Sequence, residues 1–131
     1  MTSPIHILLI DDDEDDIALF EIALRDHSFP IRLSTLTDGD EVIDYLAETP
    51  TQPDLIFLDL NMPRMHGRDV LLALKHTLTA PSRRIFVLST SSSPEDAAFC
   101  LANGAEQFLT KPASHTLLRE MLAQILDKVS N

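Results

Sequence analysis

The sequence predicts an α/β fold, a doubly wound parallel sheet, and three observations carry that prediction. Five short strand-like runs alternate with five longer stretches in which apolar residues recur at helical spacing. Two of the runs, around Ile5 to Ile10 and Leu55 to Leu58, are apolar almost without interruption, as strands are when both faces are covered. Carboxylates, a hydroxyl and an ammonium follow the runs at their C-terminal ends, where open sheets of this kind place their ligands.

Taken in order, Ile5-His-Ile-Leu-Leu-Ile10 is the first strand, and it runs into six consecutive acids, Asp11 to Asp16. In the helix that follows, Ile17, Phe20 and Leu24 form a core-facing stripe that Ala18, Ile22 and Ala23 widen. This helix should end near His27-Ser28, before Phe29-Pro30. Ile31 to Leu36 alternates apolar and polar residues, a second strand with one face more exposed, toward a sheet edge. Asp38 is the N-cap candidate of a helix that turns Val42, Ile43 and Leu46 inward, with Glu41 at the capping-box spacing.

Pro50 and Pro53 bracket the loop into the third strand, which ends in Asp59 and is halted by Pro63. The turn Arg64-Met-His-Gly67 leads into a helix with Val70, Leu71 and Leu74 on one face, ending before Pro81. Arg84 to Ser89 is the fourth strand. Ser93-Pro94-Glu95-Asp96 then starts a helix with a capping serine, proline at the first helical position and acids in the first turn. Asn103-Gly104 closes it. Ala105 to Thr110 is the fifth strand, followed by Lys111-Pro112. The last helix has Ser114 as N-cap and Leu118, Met121, Leu122, Ile125 and Val129 on its apolar face.

Size and charge bound the function. The 131 residues fit one domain, 1–131, with nothing left for an output domain. A hydrophobic fraction of 44% with 24% charged residues suits a soluble globular protein, and no apolar run approaches the roughly 20 residues of a membrane span. Met1-Thr-Ser-Pro4 lacks the features of a signal peptide, which places the protein in the cytoplasm. The net charge of −11 argues against binding nucleic acid or an anionic membrane. Cys100, the single cysteine, reads as a buried inert thiol.

In the strand order 2-1-3-4-5 of flavodoxin-like (βα)5 folds, strands one and three are neighbours, and Asp11, Asp12 and Asp59 share the crevice at their ends. Three carboxylates kept ionised together call for a cation, and all-oxygen ligands suit Mg2+. Asp13, Glu14, Asp15 and Asp16 read as solvated first-turn acids of the helix. Ser89 and Lys111 bring a hydroxyl and an ammonium to the same end of the sheet. A free carboxylate, a metal, an ammonium and a hydroxyl are the equipment for handling a phosphoryl group.

These pieces resemble the receiver domains of bacterial two-component response regulators. The matching segments are the strand before Asp11-Asp12, Leu58-Asp-Leu-Asn-Met-Pro63, Ser89-Thr90 and Lys111-Pro112, in order along essentially the whole chain. The resemblance implies that Asp59 takes a phosphoryl group from a sensor histidine kinase or a histidine phosphotransfer protein. It implies that Asp12 and Asp59 ligate Mg2+ directly, Asp11 through water and Asn61 through its backbone carbonyl. Lys111 would pair with the phosphoryl oxygens, and Lys111-Pro112 would be a cis peptide. Ser89 would be the switch hydroxyl, with Thr90 beside it contributing to group binding and Phe108 the aromatic that changes rotamer.

A downstream protein target would then read the face of the fourth helix, fifth strand and fifth helix, and the chain would be a monomer or homodimer. The acid-rich run and absence of an output domain are also similar to small receivers that accompany bacterial phytochrome kinases. Departures are His66, a solvent-facing turn residue where an acid is common, and Asn61 and Ser91 at the positions that influence how water reaches the phosphoryl group. His6, His27, His76 and His115 share no motif. The chain reads as a switch with slow self-dephosphorylation, not an enzyme. The rivals are a Mg2+-dependent phosphatase of the haloacid-dehalogenase type, which wants an aspartate where Asn61 stands, and a phosphorylation-independent adaptor.

Overall fold

The computed structural model describes residues 4–25, 27, 30–49, 52–62, 67–77, 84–90 and 92–130. The expected breaks at Ser28-Phe29, Pro50 and Pro81, the turn from Pro63 to His66, and Ser91 lie outside the described residues. Strands β1 (Ile5–Ile10), β2 (Ile31–Leu36), β3 (Leu55–Asp59), β4 (Arg84–Ser89) and β5 (Ala105–Thr110) alternate with helices α1 (Glu14–Arg25), α2 (Val42–Glu48), α3 (Gly67–Thr77), α4 (Pro94–Ala102) and α5 (His115–Ser130). All strand pairs are parallel, in the order β2-β1-β3-β4-β5. This is the flavodoxin-like arrangement that the sequence predicts.

The period of two in a strand divides the core into two layers. Leu8, Ile10, Ile56, Leu58, Ile85 and Val87 face the layer completed by α2, α3 and α4. Ile7, Leu9, Leu55, Phe57, Phe86 and Leu88 face the layer under α1 and α5. There Phe57 is the hinge of an aromatic chain, edge-on to Phe20 at 5.1 Å and stacked on Phe86 at 5.3 Å between ring centroids. Strands buried on both faces explain why β1 and β3 read as unbroken apolar runs. β2, at the edge, is the alternating one.

Four local expectations are corrected. Ala18 and Ile22 do not widen the buried stripe of α1: both are exposed, Ile22 at 44%. At 100° per residue they fall on the side of the helix opposite Phe20 and Leu24. Asp38 caps a three-residue 3-10 turn, Gly39–Glu41, accepting from the Asp40 N–H at 3.0 Å, and the α-helix proper starts at Val42. Val42 and Leu46 are buried, but Ile43 only half so. The Lys111–Pro112 peptide is trans, as are all the described peptide bonds; trans is the form an X-Pro amide itself prefers, by about 0.5–1 kcal/mol.

Ser93 caps α4 through the Asp96 N–H, and Ser114 caps α5 through the Leu117 N–H at 3.2 Å, both as predicted. Gly104 closes α4 with φ of +104°, a conformation that L side chains rarely adopt. Gly67 is needed for a different reason. A Cβ there would stand 2.4 Å from Leu60 Cα and 2.9 Å from the Asp59 carbonyl oxygen, so α3 starts in backbone contact with the acidic end of β3. Cys100 is fully buried, and burial pushes its thiol above the ordinary range. Among the described residues no helix is long and apolar enough to cross a membrane.

Candidate functional site

The C-terminal ends of β1, β3, β4 and β5 converge on one crevice. Asp11 and Asp59 are each 2% exposed and Ser89 is fully buried, because the strands that deliver them lie between two helical layers. Asp12 is more open to solvent. One carboxylate oxygen from each of Asp11, Asp12 and Asp59 lies within 4.8 Å of the others. At that separation two carboxylates repel by about 3 kcal/mol at an effective dielectric constant of 20. The arrangement is tolerable where a cation sits among them.

Among the described residues, Lys111 supplies the ammonium. Its backbone N–H donates to the Ser89 carbonyl at 2.8 Å, which ties the chain leaving β5 to the end of β4. Its side chain then spans the crevice, and Nζ lies 3.3 Å from Asp11 Oδ2, 3.4 Å from Asp59 Oδ2 and 2.9 Å from Asp16 Oδ2. Burial works against the ammonium, but its hydrogen bond to Asp16 and the charges of Asp59 and Asp11 outweigh that and hold Lys111 above its ordinary range. Burial also pushes the Asp11 carboxyl up to about 6, against the Asp13 N–H and Lys111, with Asp59 adding to the rise. Among the described residues the site is short of positive charge.

The other half of the crevice is neutral. Asn61 Oδ1 accepts from Ser89 Oγ at 3.1 Å, from the Thr90 N–H at 3.0 Å and from Thr90 Oγ1 at 3.2 Å. Its own backbone N–H donates to Asp59 Oδ1 at 3.0 Å, so one residue links the acidic end of β3 to the hydroxyls after β4. Phe108 is half-buried on β5, paired across the sheet with Val87 and packed on the layer under α2, α3 and α4.

The structure therefore brings together Asp11, Asp12, Asp59, Asn61, Ser89, Thr90 and Lys111, while Phe108 stands three residues back along β5. Two roles go beyond the sequence reading. Asp16 is not merely a solvated first-turn acid, since it reaches Lys111. Asp13 belongs to the helix as expected, its Oδ1 accepting from the Asp15 and Asp16 N–H groups at 2.9 and 3.2 Å. Asn61 was expected to act through its backbone carbonyl, and its side chain proves to be the acceptor for Ser89 and Thr90. No spacing in the sequence marks either role, because both depend on which loops meet above the sheet.

The model of the response regulator receiver domain matches residues 7–123. The transcriptional regulatory protein PrrA of Mycobacterium leprae is 37% identical over 125 residues, which cover 95% of this chain and 49% of PrrA. The chain thus spans about half the length of that curated relative. Among solved structures, the phosphorylated cyanobacterial phytochrome response regulator RcpA superposes with a TM-score of 0.85 at 32% identity, covering 94% of this chain and 91% of RcpA. The Mn2+-bound form of the response regulator Rcp1 gives 0.82 at 29% identity, covering 93% and 91%. The chain belongs to the response regulator receiver domains, the phosphoryl-accepting modules of two-component signalling.

Proposed function

We propose that Asp59 is the phosphoryl acceptor of this receiver. The observation that supports this most directly is a buried carboxylate at a strand end whose Oδ2 faces the Lys111 ammonium at 3.4 Å, beside the carboxylates of Asp11 and Asp12. An Asp59 oxygen attacks phosphorus of a phosphohistidine on a sensor histidine kinase or histidine phosphotransfer protein. The P–O bond forms as the P–N bond breaks, and the departing imidazole nitrogen keeps the electron pair and takes up a proton. Lys111 passes from the Asp59 carboxylate to the phosphoryl oxygens, neutralising charge that builds there.

The donor set fits a hard divalent cation, for it is all oxygen and carries more negative charge than Lys111 offsets. Asp12, Asp59 and the Asn61 carbonyl would hold Mg2+, with Asp11 acting through water; when bound it supplies positive charge to the carboxylates and the phosphoryl oxygens. Ser89 and Thr90 direct two hydroxyls and an N–H at the single oxygen of Asn61, so one hydroxyl has a rival acceptor once a phosphoryl group arrives. Turning Ser89 toward the phosphoryl group frees space for Phe108 to change rotamer, and the face of α4, β5 and α5 then meets a downstream protein.

The receiver domain acts in the cytoplasm as a monomer or homodimer, and the charge of −11 disfavours nucleic acid and anionic membranes as partners. It is a switch whose aspartyl phosphate hydrolyses slowly, not a turnover enzyme. Asn61, an amide engaged as an acceptor, is no general acid for the phosphatase reaction. Incubation with acetyl phosphate or phosphoramidate and Mg2+ should add one phosphoryl mass to the wild type and none to Asp59→Asn. A wild type that stays unmodified while a control receiver is labelled would overturn the reading.

A further inference from the structure

The shortest contact of the Lys111 ammonium is to a residue that does not lie at a strand end. Nζ is 2.9 Å from Asp16 Oδ2 in the first turn of α1, against 3.3 Å from Asp11 and 3.4 Å from Asp59. An ammonium has three N–H donors; here it donates to Asp11 and Asp16 and stands as an ion pair 3.4 Å from Asp59. Its orientation is set by where those three acids stand. Two of them, Asp11 and Asp16, keep their carboxylates free when Asp59 reacts.

Both ends of the lysine are held. The backbone is tied to Ser89, and the ammonium donates to Asp11 and Asp16 on the wall of a pocket that Leu19, Phe20, Leu88 and Leu118 also line. Asp16 is itself fixed: its N–H donates to the capping Asp13, and α1 packs against α5, which brings the first turn of α1 over Lys111. We propose that Asp16 is a positioning residue for phosphoryl transfer, holding the Lys111 ammonium so that its remaining N–H is aimed at Asp59. The inference rests on Asp59 being the acceptor. Asp16 is not one of the three acids whose oxygens cluster, so its effect is separable from metal binding.

The test compares the wild type with Asp16→Ala, Asp16→Asn and Asp16→Glu in acetyl phosphate and saturating Mg2+. Mg2+ affinity is followed by calorimetry and the Lys111 ammonium by its 15N signal. The Asp16 side chain is 41% exposed, so the expected loss of labelling rate in Asp16→Ala is modest, about fivefold. Asp16→Asn, which keeps an accepting oxygen, loses less, and Asp16→Glu recovers most of the rate. Mg2+ affinity changes far less than the rate, and the ammonium signal, sharp in the wild type, broadens in Asp16→Ala as exchange with water quickens.

Wild-type labelling with an unchanged ammonium signal in Asp16→Ala overturns the proposal. So does a loss of Mg2+ affinity that matches the loss of rate, which would make Asp16 a metal ligand. If Asp16→Ala fails to fold, the Asn and Glu variants decide by the same readings. A wild type that takes no label overturns the reading of Asp59, while the ammonium signal still decides whether Asp16 holds Lys111.

Discussion

The two ends of the sheet handle charge in opposite ways. At the N-terminal ends of the strands, charged and polar groups meet partners, although the buried His6 Nδ1 has no hydrogen bond among the described residues. Arg84 Nε donates to Glu106 Oε1 at 2.7 Å, His6 Nε2 meets Ser34 Oγ at 2.9 Å, and Asp54 Oδ2 accepts the His6 N–H at 2.9 Å. At the C-terminal ends Asp11, Asp16 and Asp59 share the ammonium of Lys111, and Asp12 adds a further carboxylate beside Asp11 and Asp59. The first arrangement is what stability alone would select. The second costs folding free energy, and it is intelligible as a place prepared for a cation and a reacting group. Imbalance of charge, rather than density of charge, separates the working end from the structural one.

The sharpest way to break this contrast is through the two glycines. Gly67→Ala puts a Cβ against the backbone of Leu60 and Asp59, so it should cost about 2–3 kcal/mol in urea unfolding and slow labelling by acetyl phosphate as the β3 end shifts. Gly104→Ala strains only its own backbone, with nothing within 4 Å of the added carbon, and should leave labelling of the folded protein unchanged. Equal loss of labelling in both would show that the acceptor end is not set by close packing under β3.

A smaller effect of opposite sign is expected at Asp11. Replacing it with asparagine removes a buried carboxylate from an end that has too many, while Lys111 keeps Asp16 and Asp59. In EDTA at neutral pH, Asp11→Asn should be more stable than the wild type by about 1–2 kcal/mol. Added Mg2+ should stabilise both proteins, the wild type more, because Asp11→Asn keeps the direct ligands and removes one charge that acts through water. A destabilised variant would mean that the carboxylates are balanced after all.

Much of this end of the molecule was legible from residues alone. Asp59 and Ser89 end strands and Asp11 and Lys111 follow them, and parallel sheets gather their strand ends, so order in the chain becomes proximity in space. The apolar runs of β1 and β3 were unambiguous because both of their faces are covered. Asp16 was not legible, since a first-turn acid looks solvated until α1 is packed on α5 and the reach of Lys111 is known. Asn61 was read only for its backbone carbonyl, and its side chain has a second task as the acceptor for Ser89 and Thr90. Nothing in its spacing reveals that the side chain would accept from Ser89 and Thr90. Ala18 and Ile22 were misplaced by counting apolar residues without their angles around α1.

The least effect is expected at the balanced end, and it tests whether the two ends are independent. Arg84 and Glu106 join β4 to β5 next to a register shift between Ile85 and Phe86, with side chains 31% and 37% exposed. The hydrogen bond from Arg84 holds the Glu106 carboxyl below its ordinary value of 4.5. A depressed carboxyl stabilises the fold above the unfolded value and loses that contribution as pH falls through the folded one. Glu106→Gln should therefore cost about 0.5 kcal/mol at neutral pH, where solvent screens the pair, and the difference from wild type should vanish in acid. Labelling of Asp59 should be untouched. If Glu106→Gln slowed labelling as much as Asp16→Ala, charge at one end would be felt at the other through β5, and the contrast would describe one coupled system.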